Sequence, residues 1–197
     1  MKRVITISRE FGSGGRSIGR MVAEKLGYAF YDRELVLEVA KRSGFSPEFI
    51  EESGEYASTR HSLLFSLATA NQFSVNGLSV TDRLYLEQSK IIEELAEKGG
   101  CVIVGRCADY ILRDRADALH VFLHADLESR AKRIVQRYGE NDKTPEKRLT
   151  EKDQKRKVYY RNYTGRNWGQ AQNYDLCLNS SALGLEACAE MIVQAAK

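Results

Sequence analysis

The stretch Val4-Ile5-Thr6-Ile7-Ser8-Arg9-Glu10-Phe11-Gly12-Ser13-Gly14-Gly15-Arg16-Ser17 decides how the rest of the chain is read. A β-branched run leads into a glycine cluster, and a basic residue and a hydroxyl follow at once. From Gly15 to Leu26, Ile18, Met21, Val22 and Leu26 fall on one helical face, which predicts a helix. Strand, glycine loop, cation, hydroxyl and helix in this order make an anion cradle. Backbone N–H groups of the loop and of the first helical turn point at the ligand, and the helix dipole favours negative charge there.

Against the phosphate-loop pattern G-x-x-x-x-G-K-[ST], Gly15 and Ser17 fit, Glu10 stands where the first glycine belongs, and Arg16 replaces the lysine. On this reading Gly12, Ser13, Gly14, Gly15, Arg16 and Ser17 bind the phosphates of ATP, and Ser17 is the Mg²⁺ ligand. Arg16 holds phosphate oxygens as a planar fork instead of a point charge. The competing reading is a glycine-rich turn that only joins a strand to a helix.

With 197 residues, 43% hydrophobic content and only 2 prolines, the chain suits one ordered domain over 1–197. The longest apolar runs are too short to span a bilayer and no signal peptide is visible, so the expectation is a cytoplasmic protein without a membrane partner. Cys101, Cys107, Cys177 and Cys188 lack paired C-x-x-C spacing and read as buried thiols, not metal ligands. The net charge of +3 is unevenly placed: Asp126 to Arg166 holds 13 Lys and Arg against 7 Asp and Glu. A local basic stretch in a nearly neutral chain points to a phosphate-bearing small ligand, not a nucleic-acid polymer.

Further along, Tyr28–Asp32 reads as a short strand, with Asp32 capping a helix that Gly44 closes. Ser46-Pro47-Glu48 opens another helix, and 61–73 and 81–98 read as two more, the last with Leu84, Leu86, Ile91, Ile92 and Leu95 apolar and Gly99-Gly100 as its stop. Residues 33–98 are thus a helical insertion. Cys101–Gly105 and Ala118–Ala125 read as strands, Leu127–Tyr138 as a helix capped by Asp126, and Thr144-Pro145 opens a long charged helix, interrupted near Tyr163–Gly165. Asp175–Asn179 is the last strand and Leu183–Ala196 the last helix. Strands alternating with helices imply a parallel sheet whose ligands sit beyond the carboxyl ends of the strands. Ser8–Gly15, Asp32, Arg106, Asp126 and Asn179–Ser181 all fall at those ends.

This order of parts resembles the nucleoside monophosphate kinases, and most of all the cytidylate kinase-like group. The resemblance rests on Arg9 to Arg16, Tyr31-Asp32-Arg33-Glu34, Val104-Gly105-Arg106, and the tail from Tyr159 to Gly165 and Asn173 to Leu176. It implies a three-layer α/β P-loop NTPase fold with a five-stranded parallel sheet, an acceptor-binding insertion over 33–98 and a lid over 140–172. Asp32 resembles the aspartate bordering the acceptor, with Arg33 beside it, although cytidylate kinases continue there with a Thr/Ser-Gly-Ala turn. Arg106 resembles the arginine that grips the acceptor phosphate. The aspartate those enzymes carry next is Cys107 here, with Asp109 as a possible substitute. The helix from Arg148 to Arg161 occupies the place of the mobile lid, and Lys152, Arg156 and Arg161 would close over the phosphates.

Phosphoryl transfer asks for these parts: in-line positioning and cations against the charge of the transferred group, with a lid excluding water. Arg16, Arg106, Arg156 and Arg161 are the catalytic candidates. A phosphate acceptor needs no general base; Asp32 or Asp109 becomes one only for a neutral hydroxyl. CMP or dCMP is the first acceptor to expect. A kinase of another small molecule and a non-catalytic nucleotide-binding regulator stay open, as does oligomeric state.

Overall fold

The run at the front edge becomes the middle of a sheet. A computed structural model describes residues 1–53 and 79–197. Strand β1 (Val4–Arg9) is buried along its whole length and pairs in parallel with β3 (Cys101–Val104) on one side and β4 (Ala118–His124) on the other. The short strand β2 (Ala29–Tyr31) and the strand β5 (Leu176–Asn179) complete the order β2-β3-β1-β4-β5, all parallel. Continuous apolar sequence suits strands covered on both faces.

Alternate residues feed two cores. Val4, Cys101, Ile103 and Ala118 face the helices α2 (Arg33–Ser43), α3 (Pro47–Ser53), α4 (Val80–Lys98) and the short α5 (Ala108–Ile111). Ile5, Ile7, Val102, Val104, Leu119, Val121 and Leu123 face α1 (Gly15–Leu26) and α9 (Leu185–Ala196). Three layers follow, with helices on both faces of the sheet. Two further helices lie beyond the carboxyl edge of the sheet: α6 (Leu127–Tyr138), whose N-cap Asp126 accepts from the Ser129 amide at 2.7 Å, and α7 (Pro145–Thr164). Among the described residues, no helix is long and apolar enough to cross a membrane.

Several local expectations are corrected. Leu86 sits on the solvent side of α4, while Leu84, Ile91 and Ile92 are buried. The helix expected over 183–196 breaks at Gly184, leaving α8 (Ser180–Leu183) before α9. The interruption expected near 163–165 is met: helix α7 stops at Gly165, whose left-handed φ of 69° ends it. All four cysteines are free thiols, but Cys177 is exposed. Asp32 makes no capping bond to α2; its carboxylate goes to Arg16. The helix expected over 61–73 lies outside the described residues.

Candidate active site

The glycine loop leaves β1 and turns into α1 through two left-handed residues, Gly12 (φ 84°) and Gly14 (φ 86°). A Cβ at Gly12 would stand 2.9 Å from the Arg130 carbonyl oxygen, and one at Gly15 would stand 2.7 Å from the Arg9 side chain that runs beneath it. Glycine is therefore needed for both reasons, conformation and close approach. The Ser13 hydroxyl and amide donate to the Glu10 carbonyl oxygen at 2.9 and 3.2 Å, and the Ser180 hydroxyl donates to the Ser13 carbonyl at 2.6 Å.

Glu10, which takes the place of the pattern's first glycine, is tied into a buried charge network. Its Oε2 accepts from Arg130 at 2.8 Å and from the Ala125 amide at 3.2 Å. The second terminal nitrogen of Arg130 reaches Asp153 Oδ2 at 2.7 Å. Asp153 Oδ1 accepts from the Phe11 amide at 2.7 Å and from Arg156 at 3.2 Å, and Arg156 also donates to the Arg9 carbonyl at 3.1 Å. Burial pushes the Asp153 carboxyl upward, opposed by the Phe11 amide and the two arginines. Arg130, Asp153 and Arg156 are all under 7% exposed, and the four side chains tie loop, α6 and α7 into one piece. On α7 the buried positions Leu149, Asp153, Arg156 and Tyr160 recur at helical spacing, so a largely polar face is the one that docks.

Helix α6 supplies cations that sequence reading missed. Arg133 donates to the Gly12 carbonyl at 2.6 Å, and Arg137 donates to the Ser17 hydroxyl at 2.9 Å. Arg130, Arg133 and Arg137 occupy positions i, i+3 and i+7 after a strand end, a helical spacing that could have pointed to a shared face. Arg16, Arg133, Arg137 and Arg156 line a cleft of about 70 Å³ over the loop, with Phe11 and Tyr138 at its side. Lys152 lies outside it, with its ammonium 5.2 Å from the Phe11 ring centre. Arg161 does not join the cleft either: it donates to the Asn167 side chain at 2.7 Å on an exposed surface.

Beyond β2 and β3 lies a second group. Asp32 follows β2 and ion-pairs with Arg16 Nε, and Arg33 begins α2. After β3, Gly105, Arg106 and Cys107 are all left-handed (φ 76°, 62° and 57°), a conformation that costs about 1–2 kcal/mol at each non-glycine residue. Arg106 is 4% exposed, and its carbonyl accepts from Gln88 at 3.1 Å. Asp109 is buried, and its two oxygens accept from Ser8 (3.1 Å) and Tyr160 (2.6 Å). Burial, then the neighbouring Asp109, push the Tyr160 phenol far above its ordinary value, so it stays a donor. Asp109 thus pins α7 to the sheet edge.

Among the described residues, no group of three or more His, Cys, Asp and Glu is placed to hold a metal. The Ser17 hydroxyl is one hard oxygen at the mouth of the cleft. Such an oxygen would fit a Mg²⁺ ion carried in on phosphate oxygens, which would offset their charge.

Fold and site together define a class: a P-loop kinase of small substrates. The family described as cytidylate kinase-like matches residues 4–182, and the chain belongs to it. A cytidylate kinase of Archaeoglobus fulgidus is 32% identical over 197 residues, covering 97% of this chain and 93% of that protein. An uncharacterized protein from Eubacterium ventriosum has the same fold with a TM-score of 0.73 at 27% identity, covering 98% and 97% of the two chains. A shikimate kinase from Acinetobacter baumannii shares the fold alone, at TM-score 0.56 and 17% identity over 98% and 92%. The chain is a phosphotransferase of the nucleotide-kinase type.

Proposed function

We propose that this protein moves the γ-phosphoryl group of ATP to a nucleoside monophosphate, with CMP or dCMP as first acceptor. The observation that carries the reading is the set of cations converging on the glycine loop from separate helices: Arg16, Arg133, Arg137 and Arg156. Gly12 to Ser17 hold the donor phosphates through loop amides, and Arg16, Arg133 and Arg137 reach their oxygens. Arg156, fixed by Asp153, braces the loop from below. Arg106 holds the acceptor phosphate, with the insertion over 33–98 forming the acceptor side and 140–172 the lid. Ser17 contributes one ligand to Mg²⁺, which when bound offsets charge on the phosphates. The acceptor is already an oxyanion, so no residue removes a proton from it. Membership of the cytidylate kinase-like family and the 32% identical cytidylate kinase support the acceptor class. A cytoplasmic site of action agrees with that substrate.

The test is ADP formation from Mg·ATP across a panel of nucleoside monophosphates and small alcohols. Turnover with CMP or dCMP at least tenfold above every other member is expected. Turnover confined to an alcohol would replace the acceptor; ATP binding with no turnover at all would make the protein a regulator.

A further inference from the structure

Asp32 occupies the position before α2 where an aspartate normally caps the helix with its carboxylate. Here φ and ψ are −139° and −85°, no capping bond forms, and the Asp32 amide instead donates to Glu34 Oε2 at 3.2 Å. The carboxylate, only 10% exposed, pairs with Arg16, whose side chain is 42% exposed and lines the phosphate cleft. β2 and β1 are separated by β3, so this contact crosses the carboxyl end of a whole strand. The atom engaged is Nε, the inner nitrogen of the guanidinium. An arginine gripped at Nε has its orientation fixed while its outer edge, Nη1 and Nη2, keeps the geometry that meets phosphate oxygens. A lysine ammonium has three donors on one nitrogen, but it lacks a planar fork whose inner nitrogen can be fixed while a separate edge faces the ligand.

We infer that Asp32 is a positioning residue for the donor: it grips Arg16 by Nε and turns the guanidinium edge to the ATP phosphates, so the Arg16–Asp32 pair stands in for the lysine of the phosphate-loop pattern. This rests on the reading that the loop binds ATP. It also makes a prediction opposite to simple charge counting, in which removing an anion beside a phosphate site tightens binding.

The test is the dissociation constant of a non-hydrolysable ATP analogue with Mg²⁺, measured by calorimetry on the full chain, with acceptor KM measured separately. Asp32→Ala weakens analogue binding roughly tenfold, the loss of one charge-assisted positioning contact. Asp32→Asn, which keeps an oxygen for Nε, stays within about threefold of the native protein. In an Arg16→Lys background, Asp32→Ala adds less than about twofold, because the fork it positions is gone. If Asp32→Ala fails to fold, Asp32→Ser, too short to reach Nε, is read in its place. Analogue binding unchanged or tighter in Asp32→Ala overturns the inference. So does a raised acceptor KM with unaltered analogue affinity, which would place Asp32 on the acceptor. A native protein that does not bind the analogue overturns the loop reading itself, and a bound analogue with no effect of Asp32 overturns the pairing role alone.

Discussion

The proposed donor and acceptor sides of this molecule are made rigid by different means. On the donor side, strained backbone is left to glycine, at Gly12 and Gly14, and order comes from charge: Glu10, Arg130, Asp153 and Arg156 close a buried network. On the acceptor side, Arg106 and Cys107 themselves take left-handed backbone. Strain of that kind persists only where the surroundings over-determine it. Here the Gln88 bond to the Arg106 carbonyl and the burial of both residues do so. On the proposed reading, a loop that wraps a polyanion is held by paired, buried charges. On the same proposed reading, the arginine that meets the acceptor phosphate stands on left-handed main chain.

Removing one member of the donor network tests this most severely. Asp153→Ala leaves Arg130 and Arg156 buried without their shared acid, and a loss of about 3–5 kcal/mol in urea unfolding is expected. A loss under about 1 kcal/mol would mean that the network is not what orders the loop. The acceptor side should behave in the reverse manner. Arg106→Lys keeps charge but loses the fork, so acceptor KM rises about 10–100-fold while the melting temperature barely moves. A matching rise in donor KM would erase the distinction between the sides. The smallest effect concerns the helix that carries Arg133 and Arg137. The Ser181 hydroxyl, then the Ser129 amide and hydroxyl, hold the Asp126 carboxyl down at about 2. Its contribution is therefore present above the unfolded carboxyl value of about 3.9 and is lost as pH falls toward 2. Asp126→Ala lowers the melting temperature by a few degrees at pH 7, and the gap to the native protein closes between about pH 4 and 2.

What the sequence displays is the local part of this design. The buried run Cys101–Val104, the cap at Asp126, the proline-opened helix at Pro145 and the stop at Gly44 are all written within a few residues of themselves. The glycine loop belongs with them. What it hides is partnership at long range. Arg130 and Arg133 look like a solvated helix face, because nothing nearby shows that Glu10 and the Gly12 carbonyl, more than a hundred positions earlier, lie against them. The dock of α7 is hidden for a related reason: it buries Asp153 and Arg156, so apolar periodicity does not mark it. Asp32 carries a sound local signal for a cap, overridden by an arginine two strands away. Asp109 sits at a strand end as an acceptor ligand would, yet Ser8 and Tyr160 claim it.

The pairing pattern around the loop also sets how the protein meets its nucleotide in solution. Glu10 and Asp153 cancel Arg130 and Arg156, and Asp32 cancels Arg16, so those charges project little field. Arg133 and Arg137 donate to uncharged oxygens, the Gly12 carbonyl and the Ser17 hydroxyl. Arg133 and Arg137, two side chains on one helix at the described cleft, thus contribute to the attraction that draws a polyphosphate in from a distance. Screening at physiological ionic strength, over about 8 Å, acts on those two. Rising salt should slow nucleotide arrival while acting less on the buried pairs that order the loop.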